Sequence, residues 1–376
     1  MKNVLKIFWI AAFLSLTLPG CGDKNVPELP APDYKPPQEQ TDPEDPETPG
    51  GDDPDTPPGT NPWDENRGKV VTPSGEGWTS KTIREGITYY TFSGKEAICG
   101  NLMEEVFVID LDLSNPNYEV KLTYTNPTVV TSSVHATYNS IATMNAGYEA
   151  GSIFIRSDGK TRSGLPNNQI GTTGVNNWKS EAAVYCDGQR NIKISFEGGY
   201  YPRPYVDPAL NGGPGISQVV NAQRKAYNDL VSTWPYILSS APMLIDDFKP
   251  VGENFCDYTI TDSQVNKLNS EDPQRHQRVR HPRTAVALTE NNHFIMFTVD
   301  GRQTSKGMSC RELTRFLVKY FNPQYALNLD GGGSTTLCVE GEGDPTTHVV
   351  NYPCDNNKYD HAGERVRDTH FVIVAK

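Results

Sequence analysis

Residues 22–66 cannot form a packed domain, and this limits what the rest of the chain can fold into. The segment has 12 prolines, 13 acidic residues and only two lysines. Such a composition buries too little apolar surface to offset the entropy lost on folding, and its like charges favour extended conformations. We therefore predict a disordered tether at residues 21–66, with a reach of about 140 Å at roughly 3 Å per residue.

A signal peptide is predicted before the tether. Two lysines are followed by an apolar run, residues 7–18, that is too short for a membrane-spanning helix. The run ends in Leu-Pro-Gly-Cys, and a small residue followed by cysteine resembles a bacterial lipoprotein cleavage site. We predict a signal peptide at residues 1–20, lipidation of Cys21 and attachment to a membrane of the bacterial cell envelope, facing the periplasm or the cell surface. Ordinary cleavage, with Cys21 as a free thiol, is the alternative.

The acidic character of the chain belongs to the tether. The formal net charge of the whole chain is −12, whereas residues 67–376 carry only −3. A folded part close to neutrality gives no reason to expect nucleic acid as a partner.

Six cysteines follow Cys21 in a chain that is predicted to be exported. An even number of cysteines in an oxidising compartment allows three disulfides. Cys338 with Cys354 is the favoured pair, because a glycine- and proline-containing excursion separates them. Buried free thiols are the alternative for the others.

Short runs of alternating apolar and polar residues dominate residues 67–376 and predict an α/β fold of the mixed α+β kind, with a β-sheet core and few helices. Asp187-Gly188 lies between two such runs and predicts a hairpin turn. Residues 219–227 are the region in which a helix is expected.

The best-defined unit lies near the C-terminus. Residues 294–299 predict a strand, Ser309 and Glu312 have the spacing of a capping box before an amphipathic helix, and residues 325–329 predict the next strand. The strands of a βαβ unit normally run parallel, so Asp300 and Asp330 are expected at the same edge of the sheet.

Residues 328–336 read Asn-Leu-Asp-Gly-Gly-Gly-Ser-Thr-Thr. Three consecutive glycines leave backbone amides open to a ligand, which is more than a turn requires. With Asp300-Gly301-Arg302 at the same edge, the pattern predicts a site with two carboxylates, an arginine and bare amides, suited to hydrolysis of an anionic substrate. An ordinary Asp-Gly turn is the alternative.

These motifs resemble the phosphodiester glycosidase family. The resemblance rests on three segments in matching order and spacing: residues 281–285 (His-Pro-Arg-Thr-Ala), residues 298–302 (Thr-Val-Asp-Gly-Arg) and residues 327–334. Asn145-Ala146-Gly147-Tyr148, residues 240–244 and Glu364-Arg365 are similar to further elements of the family. We therefore predict a phosphodiester glycosidase-like domain at residues 140–376 and an N-terminal β-rich part at residues 67–139.

The resemblance implies hydrolysis of the bond between a sugar's anomeric carbon and the phosphate of a phosphodiester, here in an envelope or extracellular glycan. It suggests catalytic roles for Asp330, Asp300 and Arg283. The residues assigned to substrate binding are Asn145, Arg302, Gly331, Gly332, Gly333, Ser334, Thr335 and Arg365. No metal ligand and no cofactor are predicted, the partner is the carbohydrate phosphodiester, and the oligomeric state stays open.

Two other functions remain open from the sequence. A non-catalytic glycan-binding lipoprotein would suit the 18 tyrosines and five tryptophans, because aromatic faces stack on sugars. A metal-dependent phosphodiesterase would use Asp300 and Asp330 to hold a divalent cation, although the nearby arginines would repel that cation.

Overall fold

Antiparallel β-structure dominates the computed structural model, which describes residues 67–165, 177–196, 224–231 and 233–376. All of these belong to one compact unit, Gly59–Lys376. Within these ranges, no helix combines the length and the apolar character needed to cross a membrane. The predicted signal peptide, the tether and Cys21 lie outside the described residues.

The described residues form strands and a few short helices. The strands are β1 (Trp78–Arg84), β2 (Ile87–Glu96), β3 (Leu102–Asp112), β4 (Tyr118–Val129), β5 (Ala142–Asn145), β6 (Ile155–Ser157), β7 (Lys160–Ser163), β8 (Ala182–Cys186), β9 (Ile192–Phe196), β10 (Tyr236–Ser240), β11 (Met243–Asp246), β12 (Arg283–Leu288), β13 (His293–Val299), β14 (Tyr325–Asn328), β15 (Leu337–Val339) and β16 (Arg367–Ala375). The helices are α1 (Thr131–Tyr138), α2 (residues 224–230), α3 (Asp262–Val265), α4 (Pro273–Arg278) and α5 (Cys310–Tyr320).

The strands form three antiparallel sheets. Their orders are β1-β2-β3-β13-β12-β14-β11, β7-β6-β10-β8-β9 and β15-β5-β16-β4. β3 pairs with β13 and β4 pairs with β16, so residues 67–139 share sheets with the strands near the C-terminus. The predicted fold class, a β-sheet core with few helices, is confirmed.

Helix α5 packs on the seven-stranded sheet through aromatic side chains. Phe316 and Tyr320 lie 5.9 and 5.1 Å from the ring centroid of Trp78 in β1. The helix begins at the predicted capping box, in which the Glu312 amide donates to Ser309 Oγ and the Ser309 amide donates to the Glu312 carboxylate. The apolar face that the sequence predicts therefore becomes the contact with the sheet.

Strands β13 and β14 run in the same direction, as predicted for a βαβ unit, but they are not neighbours. β12 lies between them and pairs antiparallel with both. The result is a split βαβ unit with α5 as its helix. Because β12 begins where β13 and β14 end, Arg283 lies between Asp300 and Asp330 along that edge.

The structure includes the whole of the predicted hairpin at residues 187–188 and part of the helix expected at residues 219–227. β8 and β9 form the predicted hairpin, and the Gln189 amide donates to Asp187 Oδ1 across its turn at 2.7 Å. The helix expected at residues 219–227 is present in its second half, since residues 224–230 are helical. Residues 219–223 lie outside the described residues.

The predicted Cys338–Cys354 disulfide is wrong. Both cysteines are free and buried, with 0% and 6% of their surfaces exposed. Cys338 lies in β15, where it pairs with Thr143 of β5 on one side and forms a bridge with Val349 on the other. Burial raises the pKa of both thiols, which keeps them protonated and unreactive.

Candidate active site

The candidate site lies at an edge where the seven-stranded and four-stranded sheets meet. β13 and β14 end there and β12 begins, while β5 ends and β16 begins in the other sheet. Backbone hydrogen bonds join the two sheets. The Asp330 amide donates to the Ala146 carbonyl, and the Ala146 amide donates to the Thr369 carbonyl, both at 3.0 Å. Residues that are far apart in the sequence are therefore neighbours at this edge.

Asp330 provides a carboxylate oxygen with unused bonding capacity. Its Oδ2 lies 3.2 Å from Nη2 of Arg367, in an ion pair whose geometry makes no hydrogen bond. Both side chains are largely buried, with 13% and 10% exposed. A buried charged oxygen without a hydrogen bond is costly to maintain. Such an atom is a natural position for a substrate group or a reacting centre.

Asn145 holds the backbone on both sides of the glycine turn. Its Nδ2 donates to the Asp330 carbonyl at 2.7 Å, and its Oδ1 accepts from the Thr336 amide at 3.0 Å and from the Thr284 hydroxyl at 3.1 Å. The side chain is fully buried. These contacts position Asp330, and they leave little capacity for the substrate contact that the sequence predicts for Asn145.

Asp300 lies at the predicted edge, and both of its carboxylate oxygens accept hydrogen bonds from the protein. Oδ1 accepts from Asn351 Nδ2 and Oδ2 accepts from the Tyr352 amide, both at 2.8 Å, and only 3% of the residue is exposed. Burial raises the pKa of Asp300 to about 7 despite these two hydrogen bonds. Both oxygens hold the segment at residues 351–352, and the catalytic pair with Asp330 stays a prediction.

Arg283 is also held by hydrogen bonds within the protein. Its guanidinium donates to the carbonyls of Met308, His276 and Val279 and to Gln277 Oε1, at 2.7 to 3.0 Å, and 1% of the residue is exposed. Burial lowers its pKa. The side chain therefore fixes the end of α4 against the start of β12, and its catalytic role stays a prediction.

Each glycine of the triplet is required for its own reason. A Cβ at Gly331 would lie 2.6 Å from the Pro282 carbonyl oxygen, and one at Gly333 would lie 2.4 Å from Asp355 Oδ1. Gly332 has φ +63°, a left-handed conformation that favours glycine. Its amide donates to the Pro282 carbonyl at 2.8 Å.

Gly301 follows Asp300 and Gly331 follows Asp330, and both glycines lie against the backbone of Pro282. A Cβ at Gly301 would lie 2.7 Å from the Pro282 nitrogen, and Gly331 meets the carbonyl of the same proline. The Asp-Gly dipeptides therefore let the entry to β12 pass between the ends of β13 and β14. Part of the glycine signal in the sequence thus reflects packing rather than ligand binding.

Two arginines lie beside the glycine turn. Arg302 Nη2 is 3.2 Å from the position of a Cβ on Gly332, and Arg365 Nη2 is 2.6 Å from that on Gly333. Arg302 is exposed and adopts a left-handed φ of +64°, which is unusual outside glycine and frequent at functional sites. Arg365 is held by an ion pair with Asp355. The structure thus brings both predicted arginines to the triplet.

The hydroxyls after the triplet are buried. Thr335 Oγ1 accepts from the Thr284 hydroxyl at 3.3 Å, and no hydrogen bond is described for Ser334 Oγ. The amides of Gly332, Ser334 and Thr335 donate to carbonyls within the protein. In the described turn, the amides of Gly331 and Gly333 are therefore the better candidates for a ligand contact.

A row of charged side chains beside Asp330 was not predicted. Arg367 Nη2 lies 4.0 Å from Glu149 Oε2, and Lys179 pairs with Glu149 at 3.2 Å and with Glu271 at 2.9 Å. Only 2% of the Lys179 side chain is exposed. Arg367 could have been suspected because it precedes the apolar run of the last strand, two residues after Arg365. Nothing local in the sequence marks Glu149 or Lys179.

The donor set gives little support to a cation at this site. Within the described ranges, no group of three or more His, Cys, Asp or Glu side chains is arranged to hold a metal ion. Asp300 uses both oxygens within the protein, and Asp330 is paired with an arginine. The residues present therefore fit an anionic ligand better than a metal.

Comparisons with known proteins identify one matching family. Residues 205–374 match the sequence profile of the phosphodiester glycosidase family. The human N-acetylglucosamine-1-phosphodiester alpha-N-acetylglucosaminidase is 32% identical over 74 residues, which is 20% of this chain and 13% of the human protein. The chain thus matches only a small part of that relative's length.

Two solved structures share the fold. A hypothetical protein from Synechocystis superposes with a TM-score of 0.51 at 14% identity, covering 81% of this chain and 64% of its own. A putative exported protein from Burkholderia pseudomallei superposes with a TM-score of 0.52 at 12% identity. The superposition covers 81% of this chain and 99% of the Burkholderia protein. The resemblance to the phosphodiester glycosidase family that the sequence predicts is confirmed by the profile match over residues 205–374.

Proposed function

We propose that this protein hydrolyses a sugar-1-phosphodiester by breaking the bond between the anomeric carbon and the phosphate oxygen. The observation that carries the proposal is the Asp330 carboxylate beside a three-glycine turn flanked by Arg302 and Arg365. The match of residues 205–374 to the family profile and the name of the human relative support this substrate class.

The leaving group explains why the site needs few catalytic residues. A phosphate monoester is a weak base, so it departs with the bonding electrons without first being protonated. The reaction then requires a negative charge near the anomeric carbon, where positive charge develops, and positive charge near the phosphate. Asp330 supplies the first and the two arginines supply the second. Water adds to the anomeric carbon, and the products are a free sugar and a phosphomonoester.

The arginines are suited to phosphate in different ways. Arg302 is exposed, so its guanidinium can turn toward a phosphate and bind two of its oxygens. Arg365 is oriented by Asp355, which fixes its position over Gly333. The Gly331 and Gly333 amides belong to the same turn and complete a surface for the anion.

The substrate's setting is also part of the proposal. We propose that the enzyme acts on an envelope or extracellular glycan and is held at the membrane by a lipid on Cys21, with residues 22–66 as the tether. Metabolic labelling with a clickable fatty acid tests this. Label should appear in the wild type and be absent from Cys21→Ser, and equal labelling of both would contradict the anchor.

A panel of sugar-1-phosphodiesters tests the proposed reaction. We expect free sugar and phosphomonoester from at least one member, with turnover reduced about 100-fold or more in Asp330→Asn. Asp247→Asn is the matched control, since Asp247 pairs with Arg67 near the opposite edge of the sheet. Turnover that is unchanged in Asp330→Asn would contradict the assignment, and no turnover of any member would favour a glycan-binding protein.

EDTA separates the proposal from a metal-dependent phosphodiesterase. We expect activity to persist after treatment with the chelator. Loss of activity with EDTA, followed by recovery with an added divalent cation, would establish the metal-dependent alternative.

A further inference from the structure

We infer that Glu149 is the second catalytic carboxylate of the site, acting with Asp330 across the guanidinium of Arg367. The inference rests on the proposed function, since it assigns Glu149 as the general base for the water that attacks the anomeric carbon. It takes the place of Asp300, whose oxygens are both occupied within the protein.

The two carboxylates share one nitrogen. Arg367 Nη2 lies 3.2 Å from Asp330 Oδ2 and 4.0 Å from Glu149 Oε2. The two oxygens are therefore at most about 7 Å apart, a separation that lets both reach one sugar ring. Arg367 reduces the repulsion between the two negative charges, and it also donates to the Gly147 carbonyl at 3.2 Å, which fixes its position.

Glu149 combines exposure with a fixed backbone. About half of its side chain, 55%, is exposed, whereas Asp330 is 13% exposed. The backbone at this position is held by two hydrogen bonds. The Glu149 carbonyl accepts from the Ser152 hydroxyl at 2.8 Å, and the Ala150 amide donates to Asp368 Oδ2 at 2.7 Å. A water molecule can therefore reach a carboxylate whose position is set by the surrounding loop.

Lys179 maintains the negative charge on Glu149. Its ammonium group donates to Glu149 Oε1 at 3.2 Å and lies 4.8 Å from the centre of the Tyr148 ring. Burial acts to raise the pKa of Glu149, but Lys179, a backbone hydrogen bond and Arg367 together outweigh it, and the pKa is lowered. An ionised carboxylate at neutral pH suits a base and is unsuited to a general acid.

The proposed step is an attack of water on the anomeric carbon, assisted by Glu149. The water oxygen forms a bond to the anomeric carbon while its proton passes to Glu149. The bond from the anomeric carbon to the phosphate oxygen breaks, and its electron pair leaves with the phosphomonoester. Asp330 stays ionised and stabilises the positive charge that develops on the sugar. Glu149 then releases its proton to solvent.

Glu149→Gln and Glu271→Gln are a matched pair for the test. Glu271 also pairs with Lys179, at 2.9 Å, so it controls for the loss of one charge next to this lysine. On a cleaved sugar-1-phosphodiester, we expect kcat to fall about 100-fold or more in Glu149→Gln, with KM changed less than about threefold. Glu271→Gln should stay within about threefold of wild type in both.

Rescue by azide distinguishes a catalytic base from a residue with a structural role. Azide needs no base to attack the anomeric carbon, so it should restore turnover in Glu149→Gln and yield a glycosyl azide, with no acceleration of the wild type. Suppose that the wild type cleaves the substrate. A kcat of Glu149→Gln within about threefold of wild type, or a lack of rescue of this variant by azide, would then overturn the role of Glu149. Either result would leave the proposed function intact.

Binding of a cationic iminosugar gives a result even without turnover. If no sugar-1-phosphodiester is cleaved, the proposed function fails, and binding alone decides whether Glu149 and Asp330 face a cationic sugar. We expect tighter binding of the iminosugar than of its neutral parent sugar, with this preference lost in Glu149→Gln and kept in Glu271→Gln. Equal preference in both variants, or no preference in the wild type, would overturn the inference.

Discussion

Replacing Gly331 with alanine should disrupt the turn that carries Asp330. The new Cβ would lie 2.6 Å from the carbonyl oxygen of Pro282 and 3.4 Å from the Cα of Arg283. These are backbone atoms at the start of β12, which pairs with strands on both sides. The clash therefore has no flexible side chain that could move aside, and the turn itself must shift.

The expected loss of stability follows from two contributions. Overpacking in a rigid environment costs about 1–3 kcal/mol. A shift of the turn also weakens the 2.8 Å hydrogen bond from the Gly332 amide to the Pro282 carbonyl, which contributes about 1 kcal/mol. Replacing glycine restricts the unfolded chain and returns about 0.4–1 kcal/mol. The net decrease in the free energy of unfolding is therefore about 1–3.6 kcal/mol.

Urea unfolding of the purified protein measures this change. Gly164→Ala is the control, because nothing lies within 4 Å of its added Cβ and its φ is outside the left-handed region. We expect the urea midpoint to fall in Gly331→Ala and to stay the same or rise slightly in Gly164→Ala. Equal midpoints for the two variants would refute the reasoning that the Pro282 backbone is a rigid neighbour of the turn.

Two further predictions concern Arg302 and Asp300. Arg302→Met should raise KM for a cleaved phosphodiester about tenfold through loss of a charged hydrogen bond to phosphate, and a KM within twofold of wild type in steady-state kinetics would contradict its role. Burial raises the pKa of Asp300 to about 7, so protonation of Asp300 stabilises the folded state, and this contribution is lost as the pH rises through about 7. Urea unfolding between pH 5 and 8 should show the wild type gaining stability relative to Asp300→Asn as the pH falls, and a pH-independent difference would contradict the shift.

Local patterns predicted much of the fold. The alternation in residues 294–299 and 325–329 corresponds to β13 and β14, and the Ser309–Glu312 spacing gave the start of α5. Each of these signals lies within a few residues of the chain. The insertion of β12 between β13 and β14 was not predictable in this way, because strand order depends on pairing between distant segments.

The site was predicted less completely than the fold. Asp330 and the arginines beside the triplet lie together as expected, but Asp300 accepts from Asn351, 51 positions later in the chain. The family resemblance suggests a catalytic role for Arg283, whereas its guanidinium donates to carbonyls at the end of α4 and before α5. The direction in which a side chain points depends on such hydrogen-bond partners. The position of the residue in the sequence does not determine that direction.

The position of bond cleavage tests the central claim most directly. Hydrolysis of a sugar-1-phosphodiester in water enriched in oxygen-18, followed by mass spectrometry of both products at early times, shows which atom the water attacks. Attack at the anomeric carbon, with Asp330 beside it, predicts the label in the sugar and none in the phosphomonoester. Label in the phosphomonoester would mean that the phosphorus–oxygen bond breaks, and would contradict a glycosidase.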